Sequence, residues 1–340
     1  MKAELQVKTL DVRYTLLVPL VFAAGLIFYK WNAARLVIQK VWSSGTMSAR
    51  PDVVSFGGVT ATAAAGHALN YFVVIWPALA FGILISAAVR AYVPAEWFAR
   101  RLRGKTLGTQ LVSGVAGAPL MLCSCCVASV FSTVYERSRR LAPSLAIMLA
   151  SPALNPAALV LTFLLFAPKL AAARLLMAVP AVFLSGIVIE KLFPTHMADA
   201  APAPSDERAI GFGQSLIDVV KRTVPALVVG VICSMLLIEY LPKDLLASSN
   251  FRFLAVVVTA SVAVPIALPT FFEIPLALGL IAAGAPVGAA GVLLFAGPII
   301  NLPSLLALAK STNWKIATSL AVLIWIIAVF GGLVLNQVAT

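Results

Sequence analysis

Three of the four cysteines in the chain fall in one short run, Cys123-Ser124-Cys125-Cys126. Cysteines this close together cannot close the long loops through which disulfides stabilise secreted domains. If the run is extended, Cys123 and Cys125 face the same way; if it is helical, Cys123 and Cys126 share a face. In either case two or three thiols converge, and clustered sulfur binds thiophilic species such as a trivalent metalloid or Cu(I).

We therefore predict that this run, Ser124 included, binds a thiophilic substrate. The alternative is that the buried cysteines act only as small hydrophobic residues in a crowded turn. The fourth cysteine, Cys233, stands alone in a later apolar segment.

Glu273 is the second candidate for chemistry, because it lies among apolar residues in the second half of the chain. A lone carboxylate inside a membrane is costly to bury and is usually functional. It could bind and release a proton during a transport cycle. The alternative is a position near the outer interface, where water would hydrate it.

Two asparagines, Asn155 and Asn301, each follow a proline by three residues, Pro152 and Pro298. Proline removes a helical hydrogen bond and leaves one carbonyl without its usual donor. Each asparagine side chain could satisfy that carbonyl or contact the substrate. Both interpretations remain open at this stage.

The composition indicates which kind of element must carry these residues. Of the 340 residues, 61% are hydrophobic and 11% are charged, with a mean hydropathy of +1.00. The apolar runs are about 17–25 residues long, the length that a helix needs to cross a bilayer. The first run, residues 14–29, is predicted to be a retained membrane span. The sequence thus predicts an all-α polytopic protein of the bacterial inner membrane.

The formal net charge of +12 does not indicate nucleic-acid binding. The basic residues lie in short segments between apolar runs, as the positive-inside rule produces in membrane proteins. We therefore expect membrane lipid and a small-molecule substrate as partners and no nucleic acid. No nucleotide-binding motif is present in the sequence, and no enzymatic activity or cofactor is predicted.

The second half of the chain repeats features of the first half. Gly82 recurs as Gly230 at an offset of 148 residues, and Pro119 recurs as Pro265 at an offset of 146. Asn155 and Asn301 are also 146 residues apart. Evenly spaced breaks of this kind predict an internal structural repeat.

Loop charge suggests that the two repeats are inverted relative to each other. The segments 90–105 and 135–141 are basic, whereas their counterparts 243–252 and 282–286 are nearly neutral. The two basic segments are both predicted to be cytoplasmic, so the apolar segment 106–134 between them must enter the membrane and return on the same side, as a re-entrant hairpin does. We therefore predict seven spans, two re-entrant helical hairpins and helices broken at the asparagines, with parallel repeats as the alternative.

The predicted organisation has four parts: a leading span and connecting segment (1–65), repeat 1 with the cysteine hairpin (66–193), a cytoplasmic linker (194–213), and repeat 2 with the Glu273 hairpin (214–340). Inverted repeats with discontinuous helices are typical of secondary transporters, whose substrate sites lie where the backbone is broken. The pattern supports transport as a class but does not identify the substrate.

From about Tyr71 to Lys310, the chain resembles the ArsP-type permeases, grouped with the YraQ-like predicted permeases. The resemblance rests on four features: Gly117-Ala118-Pro119-Leu120, the Cys123-Ser124-Cys125 core, the basic turn from Glu136 to Arg140, and Ser151-Pro152 with Asn155. It implies efflux of trivalent organoarsenicals, with the cysteines taking part in recognition. The family pattern has glycine after the second cysteine, whereas this chain has Cys126, a third thiol.

Our leading hypothesis is a secondary efflux permease for a thiophilic metalloid, with Cys123, Cys125, Cys126, Ser124, Asn155, Asn301 and Glu273 as substrate-binding residues. No metal is expected beyond the metalloid at the cysteines. One alternative is a permease for a sulfur-containing or metal cargo. Another is a membrane thiol oxidoreductase, although the second hairpin carries no cysteine. Direction of transport, the coupling ion and homo-oligomer formation are left open.

Overall fold

A computed structural model describes residues 16–47, 61–93, 107–193, 211–239, 252–282 and 284–339. Within these ranges the regular secondary structure is helical and no strand occurs. The prediction of an all-α membrane protein is therefore confirmed. The helices are α1 (Leu17–Ser44), α2 (Ala61–Tyr92), α3 (Leu107–Gly117), α4 (Ser124–Ser138), α5 (Leu141–Ala153), α6 (Pro156–Leu165), α7 (Pro168–Leu192), α8 (Phe212–Glu239), α9 (Arg252–Ala263), α10 (Glu273–Ala282), α11 (Val287–Ile299), α12 (Leu302–Ser311) and α13 (Trp314–Ala339).

The described residues contain five helices, or nearly continuous helix pairs, that are long and apolar enough to cross a membrane. These are Leu17–Ser44, Gly66–Tyr92, Leu141–Leu165, Pro168–Leu192 and Trp314–Val338. A sixth is obtained if α11 and α12, which are bent by 41°, form one broken span. The chain is thus a multi-pass membrane protein. The predicted seven spans and two re-entrant hairpins remain a prediction.

The element order from α2 to α7 is repeated from α8 to α13. The helix contacts within the two halves also correspond. In the first half α5 packs between α3 and α7, and in the second half the equivalent helix α11 packs between α9 and α13. The halves meet through equivalent helices, α2 against α8 and α7 against α13. The internal repeat is therefore visible in the fold, while its inverted orientation and the domain boundaries remain predictions.

The repeated glycines are points of close approach between helices. A Cβ added to Gly82 on α2 would lie 2.9 Å from the carbonyl oxygen of Cys126 on α4. A Cβ added to Gly230 on α8 would lie 2.7 Å from Pro303 on α12. Only a residue without a side chain permits these contacts, so Gly82 brings α2 directly against the cysteine-bearing helix.

Helix α1 lies at the periphery of the molecule and contacts α2, α6 and the turn before the cysteines. It extends to Ser44, well beyond the apolar run ending at residue 29 from which it was predicted.

The predicted linker lies mostly outside the described residues, but its last two positions, Phe212 and Gly213, belong to α8. The repeat 2 helix therefore starts slightly earlier than the sequence suggested.

Candidate substrate site

The cysteine run lies at a break between two short helices. A 3₁₀ turn, Ala118–Leu120, ends at Met121, whose φ of 49° reverses the chain. Cys123 is extended, with ψ of 160°, and immediately precedes α4, whose first turn contains Cys125 and Cys126. The extended and helical alternatives are thus combined, because the first thiol lies before the helix and the other two lie within it.

This geometry brings all three sulfur atoms together in the protein interior. The sulfur of Cys123 lies 3.1 Å from that of Cys125 and 2.7 Å from that of Cys126, and Cys125 and Cys126 are 3.9 Å apart. Three sulfurs bound to one atom at about 2.3 Å would be roughly 3.4–4.0 Å apart. Small outward movements of Cys123 would therefore allow all three to bind a single atom.

Two contacts from distant elements hold the cysteine run in place. The backbone N–H of Leu122 donates to Oγ of Ser151 across 2.9 Å, which ties the run to the end of α5. The hydroxyl of Tyr71 on α2 lies 3.2 Å from the sulfur of Cys125. Tyr71 was not identified as a site residue from the sequence, where its only signal is a hydroxyl near the start of a predicted span.

Glu273 lies at the equivalent break of the second half. Phe271 has a φ of 78°, and Glu273 is the first residue of α10. Its Oε1 accepts a hydrogen bond of 2.9 Å from Nη2 of Arg174 on α7, and both side chains are at most 2% exposed. The prediction of a lone carboxylate, and the alternative of a hydrated one at the interface, are therefore wrong.

Arg174 was not identified from the sequence. The available signal was a cation within the apolar run 168–192, where the cost of burial calls for a partner. The structure supplies two partners, because Nη1 of Arg174 also donates to Oγ1 of Thr162 across 2.6 Å. Thr162 lies on α6, so α6, α7 and α10 meet at this guanidinium.

Asn155 and Asn301 occupy equivalent positions as N-caps of α6 and α12. Oδ1 of Asn155 accepts from the N–H groups of Ala157 and Ala158, at 3.1 and 3.3 Å. Oδ1 of Asn301 accepts from the N–H of Ser304 at 3.0 Å. The asparagines therefore satisfy N–H groups at the start of the following helix, not the carbonyl freed by the proline. The prediction that each side chain satisfies the freed carbonyl is therefore wrong, and contact with the substrate stays a prediction.

One small cavity brings together residues from both halves. Its lining includes Cys123, Asn155 and Glu273, together with Pro152 and Pro298 from the two breaks. Its volume of about 10 Å³ is close to the space that one water molecule requires. Asn301 does not line this cavity, and neither do Ser124, Cys125 and Cys126. Cys125 and Cys126 belong to the thiol cluster, and Ser124 lies beside it, with its Oγ buried without a hydrogen-bond partner.

The fold and the site define a multi-pass helical membrane protein with buried thiols and a buried ion pair at broken helices, an architecture typical of transporters. The model of the predicted permease family ArsP_1 matches residues 64–337, and the chain belongs to this family. The chain is 27% identical over 307 residues to UPF0718 protein YraQ of Escherichia coli (strain K12), covering 86% of each chain. No solved structure matches. The protein is thus a membrane permease.

Proposed function

We propose that this permease exports trivalent organoarsenicals, or a similar thiophilic metalloid, across the bacterial inner membrane. The observation that supports this proposal is the cluster of Cys123, Cys125 and Cys126, whose sulfur atoms all lie within 4.8 Å of one another in the interior of a membrane protein. Sulfur ligands select soft species. A trivalent organoarsenical has one As–C bond and two exchangeable hydroxyls, so it would bind two of the three thiols, whereas a metalloid with three hydroxyls would bind all three.

Binding would proceed by exchange of the hydroxyl groups on arsenic for thiols. Each exchange breaks one As–O bond and forms one As–S bond, and the thiol proton leaves with the hydroxyl as water. Arsenic remains trivalent, so no oxidant or reductant is needed. The reverse reaction with water releases the substrate and restores the thiol.

The closed site requires a change of shape during transport. A cavity that holds about one water molecule cannot accept an aryl or methyl arsenical. Cys123 belongs to the first half and Glu273 to the second, and both line this cavity. Movement of one half against the other would therefore open the site, as alternating access requires.

Accumulation of a trivalent phenylarsenical in everted membrane vesicles tests the proposal. Wild-type vesicles should accumulate it when a proton gradient is present, and Cys125→Ala should abolish most of this uptake. Cys233→Ala is the matched control, because Cys233 is an exposed thiol on α8 and should not matter. Equal uptake by the wild type and Cys125→Ala would refute recognition by thiols. Absence of uptake by the wild type would favour another cargo, such as a sulfur compound.

A further inference from the structure

Two residues that line the cavity each carry a buried polar atom without a hydrogen-bond partner. The atoms are Nδ2 of Asn155 and Oε2 of Glu273. Both residues line the cavity beside Cys123 and are 1% exposed. A buried donor or acceptor without a partner is costly, so such an atom in a native protein calls for an explanation, of which a bound group is one.

The orientation of both atoms is determined by their neighbours. Oδ1 of Asn155 is occupied as the cap of α6, which directs Nδ2 away from that helix start. Oε1 of Glu273 is held by Arg174, which is itself held by Thr162. One amide donor and one carboxylate acceptor are thus presented by rigid elements from the two halves.

A hydroxyl group matches this pair because it accepts a hydrogen bond through oxygen and donates one through hydrogen. We propose that Asn155 and Glu273 form a hydroxyl subsite that holds the hydroxyl exchanged at the thiols. This inference rests on the proposed function and narrows its substrate class. The permease would select metalloids that carry hydroxyl groups on the atom bound by sulfur, and would discriminate against bare soft cations.

The volume of the cavity agrees with this role. When Cys123 displaces a hydroxyl from arsenic, the product is one water molecule, and the cavity holds about one. Nδ2 of Asn155 would donate to its oxygen, and Oε2 of Glu273 would accept one of its hydrogens. Water kept there is positioned to return to arsenic, break the As–S bond and restore the thiol proton. The subsite would therefore keep binding reversible.

The test compares two probes on the purified full-length protein in a Cys233→Ala background. Phenylarsonous acid carries two hydroxyls on arsenic, whereas Ag(I) carries none and binds only through sulfur. Titration calorimetry measures the Kd of each. Asn155→Ser keeps a good N-cap but removes the Nδ2 donor. Asn313→Ser is the matched control, since Oδ1 of Asn313 accepts from the N–H of Ile316 at the start of α13 and Asn313 does not line the cavity.

Asn155→Ser should raise the Kd of phenylarsonous acid about tenfold, the effect of losing one hydrogen bond of roughly 1.4 kcal/mol. The Kd of Ag(I) should change by less than about twofold. The control should change neither value. The double variant Arg174→Met with Glu273→Leu removes the carboxylate acceptor and leaves no buried charge unpaired, so it should reproduce this selective loss.

Three results would overturn the inference. Equal weakening of both probes by Asn155→Ser would show that Asn155 only positions the thiols. Unchanged binding of both probes would show that the cavity is an ordinary water site. A wild-type protein that binds Ag(I) but not phenylarsonous acid would refute the proposed arsenical function together with the subsite.

Discussion

Arg174 and Glu273 form a buried ion pair of 2.9 Å between Nη2 and Oε1, although 99 residues separate them in the sequence. Arg174 lies on α7 in the first half, and Glu273 begins α10 in the second half. The pair therefore links the two halves beside the cavity. Because Oε1 is bound and Oε2 is not, Glu273 can support the fold and present a free acceptor at the same time.

Removing one partner of this pair should destabilise the protein strongly. Arg174→Gln leaves the Glu273 carboxylate buried without its counter-charge, which costs about 3–5 kcal/mol in other buried pairs. Arg174→Gln combined with Glu273→Gln should recover most of this loss. The free energy of unfolding in detergent, followed by tryptophan fluorescence, measures both effects.

Arg140→Gln is the control for this prediction. Arg140 lies 3.6 Å from Glu190, and both side chains are 14–17% exposed. Because this pair is partly exposed and its charged atoms are farther apart, water screens it more, so Arg140→Gln should cost less than Arg174→Gln. If Arg174→Gln destabilised the protein no more than Arg140→Gln does, the ion pair would have no special role in joining the halves.

The three thiols should contribute unequally to metalloid binding. Cys123 is close to both other sulfurs and is the cysteine that lines the described cavity, whereas Cys125 and Cys126 are 3.9 Å apart. Cys123→Ser should therefore cause the largest loss of affinity for phenylarsonous acid, and Cys126→Ser a smaller one, because two hydroxyls on arsenic exchange with only two of the three thiols. Titration calorimetry gives the ranking. A larger loss for Cys126→Ser than for Cys123→Ser would contradict the observed geometry.

Tyr71 should position Cys125 through its hydroxyl. Tyr71→Phe keeps the ring and removes the 3.2 Å contact with sulfur. Outer partners of this kind typically change the affinity of a site by about 10–100-fold. We expect about a tenfold weaker affinity for phenylarsonous acid with little change in melting temperature. Tyr135→Phe, which alters a buried tyrosine stacked on Phe131, should leave the affinity unchanged. Equal changes in the affinity for phenylarsonous acid in the two variants would show that Tyr71 does not position Cys125.

Gly82 should be required for the close packing of α2 on the cysteine helix. The added methyl of Gly82→Ala would meet the carbonyl oxygen of Cys126 at 2.9 Å, and a backbone atom cannot move aside as a flexible side chain can. We expect a loss of about 1–3 kcal/mol in the free energy of unfolding. Gly279→Ala on α10, where nothing lies within 4 Å of the added atom, should be neutral or slightly stabilising. Equal melting temperatures for the two variants would argue against this packing role.

The local features of the site could be predicted from the sequence. Apolar runs of membrane-spanning length predicted the helical class, and the spacing of Cys123, Cys125 and Cys126 required that their thiols lie near one another. The breaks after Pro152 and Pro298 were also predictable, because each proline removes a helical hydrogen bond and an asparagine, a favoured N-cap residue, follows three positions later. Proline alone is not sufficient, since Pro77, Pro180 and Pro225 lie inside continuous helices. What each asparagine caps was assigned wrongly, since that depends on the direction of the backbone after the break.

Sequence alone was enough to predict the membrane environment, the internal repeat and the thiol cluster, because each depends on residues close in the chain or on regular spacing. The pairing of Glu273 with Arg174 and the contact of Tyr71 with Cys125 became visible only in the folded chain. These contacts join residues 99 and 54 positions apart. They depend on which helices pack together, and an apolar run in a membrane protein carries little periodic signal to show which face meets which neighbour.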